Sequence, residues 1–340
     1  MAPTITEVAK LAGVGVGTVS RVLNNKGYVD VSTRARVETA IAELGWIPQH
    51  AARNLKAKRT QAVAVVVPYL TGPSISERLS GVEMGLVAAG LDMIAISIEM
   101  PGRRAAVLGR MAQRGRVDGV LLVSVAPTTA ELAGFGAANL PVVVVDAHHR
   151  SVPRVIVDDV GGGYMAARHL LDVGHKRIGY VGDRAVPGFR FTSSRLRLGG
   201  VGKALREEAI AVPDELVALG APTRADAREL AVRMLALPRR PTAIVAASDT
   251  QALGVLEAAR DAGLRVPDDL SVTGFDDIET ADFAGLTTIR QPLTLTGRRG
   301  VERLVDLIEG RSPGPLREVL PVELIIRRTT APPPTLVTGS

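Results

Sequence analysis

The sequence predicts an α/β protein in two parts: an N-terminal helix-turn-helix domain and a two-lobed body of doubly wound parallel sheets. Three observations carry this. Short amphipathic stretches punctuated by glycine fill the first 45 residues. From Gln61 onward, apolar runs of strand length alternate repeatedly with amphipathic runs of helix length. The charge is also divided unevenly. Residues 1–60 hold nine lysines and arginines against four acidic residues, which is five of the chain's six net positive charges.

The N-terminal elements follow in order. Thr6 is expected to cap a first short helix whose apolar side is Val8, Ala9 and Leu11. Gly13 supplies the tight turn. A second helix follows, with Val19, Val22 and Leu23 inward and Thr18, Ser20 and Arg21 outward. Ser32 or Thr33 is expected to cap a third helix with Val37, Ile41 and Leu44 on its core face, stopped by Gly45. Trp46 closes the small core. The second helix of such a unit enters a DNA major groove, and clustered positive charge is what phosphate neutralisation requires. Residues 48–60 form a link, in which 49–57 have the length for two turns of helix but few apolar residues to bury.

In the body, Ala62–Pro68 reads as a strand buried on both faces. A helix around Ile75–Ala89, a strand Asp92–Ile98, a helix Arg103–Arg114 and strands Gly119–Val123 and Val142–Asp146 complete a first run. The second run has a helix containing His169, a strand Arg177–Gly182, helices Ser194–Glu207 and Arg224–Ala236, a strand Ala243–Ala247, a helix Thr250–Ala262 and a strand Leu270–Gly274. Two such runs imply two lobes whose strand C-termini face a shared cleft. Residues 331–340, opening Ala331-Pro332-Pro333-Pro334, read as a disordered tail.

Composition excludes several classes. The chain is 340 residues long, 46% hydrophobic and 22% charged, which is ample for large cores and argues against wholesale disorder. It has no cysteine, hence no disulfide, thiolate metal site or cysteine nucleophile. No signal peptide and no apolar run of membrane-spanning length is evident, so no membrane role and a cytoplasmic location are expected. Gly161-Gly162-Gly163 lacks the spacing of a phosphate loop and reads as a crossover turn. His148-His149 has no metal partner at helical spacing. No nucleophile–base constellation is present. An enzyme is not expected, nor any cofactor or metal.

Several segments together resemble the lactose-repressor (LacI/GalR) family of bacterial transcription regulators. They are Thr18-Val19-Ser20-Arg21-Val22-Leu23-Asn24, Ala52-Arg53-Asn54-Leu55, Gly174-His175-Lys176-Arg177-Ile178-Gly179, Ser271-Val272-Thr273-Gly274-Phe275-Asp276-Asp277 and Leu286-Thr287-Thr288-Ile289-Arg290-Gln291-Pro292. The resemblance runs from about Thr4 to Thr330. It implies a headpiece with a hinge helix at about 49–58 and a periplasmic-binding-protein-like body. Lobe 1 would take about 61–160 and 291–317, and lobe 2 about 161–290 and 318–330. It implies that Val16, Gly17 and Arg21 face base edges, and that Thr18, Ser20, Asn24 and Thr33 contact phosphates. Ala52 and Leu55 would belong to the hinge, with Leu55 wedging into the minor groove. Gly15, where the family often has a capping serine, and Gln49, in place of a common asparagine, depart from the pattern. Val16-Gly17 offers no side-chain hydrogen bond to a base.

The resemblance also implies effector contacts at Asp146, Arg195, Ser248 and Asp276. Asp249 is expected to hold backbone at a helix start. Phe189 and Phe191, just before Arg195, have the chemistry to stack on a sugar ring. Ser74-Ile75 replaces an aromatic pair common in relatives. The function implied is a homodimeric repressor that binds a palindromic double-stranded DNA operator and is released by a mono- or disaccharide. A co-repressor-dependent regulator, a sugar receptor without a DNA role and a nucleotide-dependent enzyme are the competing readings.

Overall fold

A computed structural model describes residues 3–24, 27–46, 59–113, 115–184, 192–211 and 213–334, the side chains of Asn24 and Pro101 aside. The chain divides into two compact units, residues 1–60 and 61–340.

Among its described residues the first unit holds three helices: α1 (Ile5–Leu11), α2 (Val16–Asn24) and α3 (Val31–Leu44). Thr4, not Thr6, caps α1. The Thr4 hydroxyl accepts from the Glu7 amide, and the Glu7 carboxylate accepts from the Thr4 amide at 2.7 Å. This reciprocal pair needs an acidic residue three positions on, which Thr4 has. Gly13 turns the chain at φ +65°. Asp30, rather than Ser32 or Thr33, caps α3. Its carboxylate accepts from both their amides at 3.0 and 3.3 Å, so these two residues sit in the first turn. Gly45 ends α3 in the left-handed conformation. Val8, Val19, Val22, Val37, Ala40 and Trp46 form the core.

Among its described residues the second unit contains two six-stranded sheets. The first consists of β1 (Ala62–Val67), β2 (Asp92–Ser97), β3 (Gly119–Val123), β4 (Val142–Val145), β5 (Arg154–Val157) and β11 (Arg317–Leu320), in the spatial order β11-β5-β4-β3-β1-β2. The second consists of β6 (Ile178–Asp183), β7 (Val217–Gly220), β8 (Ala243–Ala246), β9 (Ser271–Asp276), β10 (Thr287–Arg290) and β12 (Glu323–Ile325), in the order β12-β10-β9-β8-β6-β7. All pairings are parallel except β10 with β12. Five helices matter below: α4 (Pro73–Ala88), α7 (Asp159–Asp172), α8 (Ser193–Glu207), α10 (Asp249–Asp261) and α12 (Leu293–Ile308), in a numbering that counts α5 (Arg104–Met111), α6 (Thr129–Ala137), α9 (Arg224–Leu235) and α11 (Glu279–Ala284) between them. Val63–Val67, Val120–Val123 and Val142–Val145 are buried throughout, as strands covered on both faces must be.

Three expectations need correction here. β11 pairs with β5 through Leu320, so residues 318–320 belong to the first lobe and the last crossing falls at Pro321. Gly161-Gly162-Gly163 is neither turn nor phosphate cradle. It lies inside α7, where a Cβ on Gly162 would strike the Phe275 ring and one on Gly163 the Arg197 carbonyl. Gly200 on α8 meets the Val160 carbonyl in the same way, so small residues let the two helices touch. Ala331, at the head of the expected tail, is also tied down rather than loose. The Ala331 carbonyl accepts from His175 Nε2 at 2.8 Å and from Ser271 Oγ at 3.1 Å. Thr329 donates to the Val272 carbonyl at 2.7 Å. Residues 335–340 lie outside the described residues.

A methyl group added at Gly163 must push α8 away from α7. Gly163→Ala should therefore cost about 1–3 kcal/mol, the range for overpacking a filled interface, read as a lower urea midpoint. Gly199→Ala on the open face of α8, where a Cβ meets nothing, is the control and should leave the midpoint unlowered.

Candidate functional site

The body holds an open cavity of about 420 Å³ lined from both sheets. Its polar wall is built at strand ends. β3 runs into Ser124, β4 into Asp146, and β9 closes on Asp276, with φ of +54°, +56° and +122° respectively. Non-glycine residues adopt such angles at a cost of about 1–3 kcal/mol each, and the turn they make brings their side chains to the cavity wall.

These groups form one connected network. Arg78 Nη2, from α4, lies 3.0 Å from Asp146 Oδ1 and donates to Gln291 Oε1 at 2.8 Å. Ser124 donates to the other Asp146 oxygen at 2.6 Å. Gln291 Nε2 donates in turn to Asp276 Oδ1. Arg197, from α8, donates to Asp159 at 2.8 Å and to the Ala247 carbonyl at 2.5 Å, with Asp276 at 3.7 Å. Its guanidinium lies 3.6 Å from the Phe275 ring centre. The network thus runs from the first lobe through Gln291 into the second.

Burial sets the electrostatics. It pushes the Asp276 carboxyl up to about 6, against the pull of Arg197 and Arg78. Burial also raises Asp159 and Asp183. It carries the Tyr69 phenol up to about 12, helped by the nearby Asp183, Asp276 and Asp146 carboxylates. Burial alone would weaken the Arg197 cation, yet Asp159, Asp276 and Asp146 hold it above its ordinary range.

Of the expected effector residues, Asp146, Ser248 and Asp276 line this cavity, as do Ser74 and Ile75. Arg195 does not. It is exposed, and Arg197, two residues on, occupies the wall instead. Two residues span about 200° of helix, so the two arginines point to opposite sides. Phe189 and Phe191 lie outside the described residues. Asp249 is fully buried beside the cavity, accepting from the Ile278 amide at 3.0 Å and from Thr288 at 2.5 Å. Ser248 caps α10. Sequence reasoning missed Tyr69, Arg78, Asp183 and Gln291. Arg78 did leave a signal: it interrupts the apolar stripe Ile75, Leu79 and Val82 of α4.

In the headpiece, Val16, Gly17 and Arg21 on α2 are exposed, and Thr18, Ser20 and Thr33 are half-buried. Val19 and Val22 turn inward. The side chain of Asn24, and Ala52 and Leu55, lie outside the described residues. Among the described residues, no helix is long and apolar enough to cross a membrane, and no cluster of histidine and acidic groups is placed to hold a metal.

Comparison with known proteins adds to this geometry. Residues 4–49 match the model of bacterial regulatory proteins of the lacI family, and residues 167–330 match a periplasmic binding protein-like domain. The chain is 31% identical to the HTH-type transcriptional regulator DegA of Bacillus subtilis, over 98% of this chain and 99% of that protein. It is 34% identical to the HTH-type transcriptional repressor CytR of Escherichia coli, over 97% and 96% respectively. Among solved structures, the lac repressor dimer bound to operator and an anti-inducer superposes with a TM-score of 0.86 at 28% identity, covering 97% of this chain and 100% of that one. A complex of the transcriptional regulator CelR with cellobiose superposes with a TM-score of 0.73 at 31% identity, covering 96% and 99%.

Arg195 and Arg197 of α8 separate cleanly by experiment. Arg197→Ala strips the partner from buried carboxylates and should lose about 3–5 kcal/mol of stability in urea unfolding. Arg195→Ala should leave both the unfolding midpoint and ligand binding unchanged; a lost ligand response in that variant would return Arg195 to the site.

Proposed function

Because the chain belongs to the lacI family of bacterial regulatory proteins, we propose that it is a ligand-controlled transcriptional repressor, a homodimer whose paired headpieces read a palindromic operator and which a small sugar releases. The connected polar network lining the cavity carries the effector half of this reading. Carboxylates, guanidinium and amide groups offer the paired donors and acceptors that ring hydroxyls require. The cavity volume falls within the range of small-molecule sites. The CelR relative is a cellobiose complex, and another neighbour of the same family carries bound ribose.

The DNA half rests on the headpiece. Arg21 and Val16 would meet base edges, and Thr18, Ser20, Asn24 and Thr33 the phosphates. Ala52 and Leu55 would lie at the operator centre, where Leu55 would unstack a base step. Two headpieces related by a two-fold axis would match two half-sites. DNA as partner and the absence of a spanning helix among the described residues support a cytoplasmic location. Asp146, Arg197, Ser248 and Asp276, joined by Tyr69, Arg78 and Gln291, would face the effector. Ligand would favour one arrangement of the lobes over another and so bias the headpieces by a population shift.

Fluorescence anisotropy on a palindrome from DNA flanking the protein's own gene tests this, titrated at two salt concentrations with and without a sugar panel. Tight, salt-steep, selective binding released by one sugar is the expected outcome. Binding tightened by a ligand would make that ligand a co-repressor, and no selective binding would end the DNA reading. Arg21→Ala should weaken selective binding by about 1–3 kcal/mol and relax sequence preference. Leu55→Ala should weaken operator binding while ligand affinity stays intact.

The acid limb of effector binding follows from Asp276. Sugar hydroxyls donate to a carboxylate, so they favour its ionised form and expel its proton. With the carboxyl at about 6 in the free protein, affinity should be level above that pH. It should fall by up to about tenfold per unit below it. Calorimetric titrations from acid to neutral pH would show this, and Asp276→Asn should flatten the profile.

A further inference from the structure

Two buried arginines line the cavity, and their charge is already committed. Arg78 is held by Asp146 at 3.0 Å and Gln291 at 2.8 Å. Arg197 is held by Asp159 at 2.8 Å, with Asp276 at 3.7 Å. Against these two cations stand four carboxylates, Asp146, Asp159, Asp183 and Asp276.

Among the described residues, Asp183 is the one of the four that no guanidinium holds. It ends β6 on the cavity wall, and its Oδ1 accepts from Gln251 Nε2 at 2.9 Å. Among the described residues it has no ion-pair partner within 4.0 Å. Arg224, at the same cavity, is mostly exposed and engaged by Glu257 at 2.9 Å. The Tyr69 phenol senses the same excess, since Asp183, Asp276 and Asp146 all make its proton harder to remove. A carboxylate with free lone pairs on a cavity wall calls for hydrogen-bond donors. A second anion brought beside it would meet Coulomb repulsion only weakly screened by water.

We propose that the cleft selects a donor-bearing effector without negative charge, a polyhydroxylated or amino-substituted ring. Asp183 is its specificity-determining residue, accepting the ligand's donors and turning away phosphate and carboxylate groups. This deepens the reading of the cavity as a sugar site and rests on it.

The test uses the full chain and matched compounds. Glucose, galactose, ribose and cellobiose are each compared by calorimetry with their amino, phosphate and uronic acid counterparts, where these exist. The parent or amino compound of whichever sugar binds should be at least about tenfold tighter than its anionic counterpart. Asp183→Asn keeps an acceptor for Gln251 while removing the charge. It should retain the wild-type melting temperature and bring the pair to within about threefold. An anionic member that binds as tightly as its parent, or a ratio unmoved in Asp183→Asn, overturns the proposal. If no compound of any charge binds either protein, the sugar reading of the cavity falls and the proposal with it.

Discussion

Arg197 is the constraint around which the body is arranged. A guanidinium this deeply buried has to be compensated on several sides, because an unpaired charge in such a place costs far more than any one contact returns. Its partners come from four places: Asp159 at the start of α7, the carbonyl of Ala247 after β8, Asp276 at the end of β9, and the face of Phe275. The first of these follows directly on a crossing between the lobes, so satisfying one charge fixes where the chain enters the second lobe. Through Asp276 and Gln291 the same network reaches Arg78 and Asp146 in the first.

The parallel sheets supply the rest. β3, β4 and β8 are apolar along their length and the chain turns polar just past their ends, at Ser124, Asp146 and Ser248, where a polar side chain can reach a ligand or a counter-charge. The left-handed backbone at Ser124, Asp146 and Asp276 makes that change abrupt, one residue beyond β3 and β4 and at the last residue of β9. The strain is sustained by the hydrogen bonds these side chains make, which is the usual arrangement at a ligand site.

The apolar strands, the four-residue β4 and β8 among them, were legible because they are buried on both faces, so composition alone marks them. Arg154–Val157 and Val217–Gly220, of the same length, have no periodicity to read and were not assigned. The cleft was legible in part. The resemblance implied Asp146, Ser248 and Asp276, and their positions just after apolar runs agree with it. Choosing between Arg195 and Arg197 required the phase of α8, which its buried stripe of Val201, Ala204 and Leu205 reveals: Arg197 lies four residues before Val201. Thr4 and Asp30 were missed as caps because neighbouring threonine and serine residues compete for the same role. The order at Ala331 could not be read from a proline-rich run, since it depends on His175 and Ser271, which are distant in sequence.

The edge strands β11 and β12 have a consequence for the order in which the protein becomes itself. Each sheet receives one edge from residues 317–325, and the second is fastened by Thr329 and Ala331. Among the described residues, the headpiece core, by contrast, draws on nothing beyond Trp46. Since domains fold as units and N-terminal ones first during synthesis, the DNA-reading unit is finished long before either lobe can close its sheet. A ribosome-bound nascent chain therefore carries a folded headpiece without the machinery that governs it.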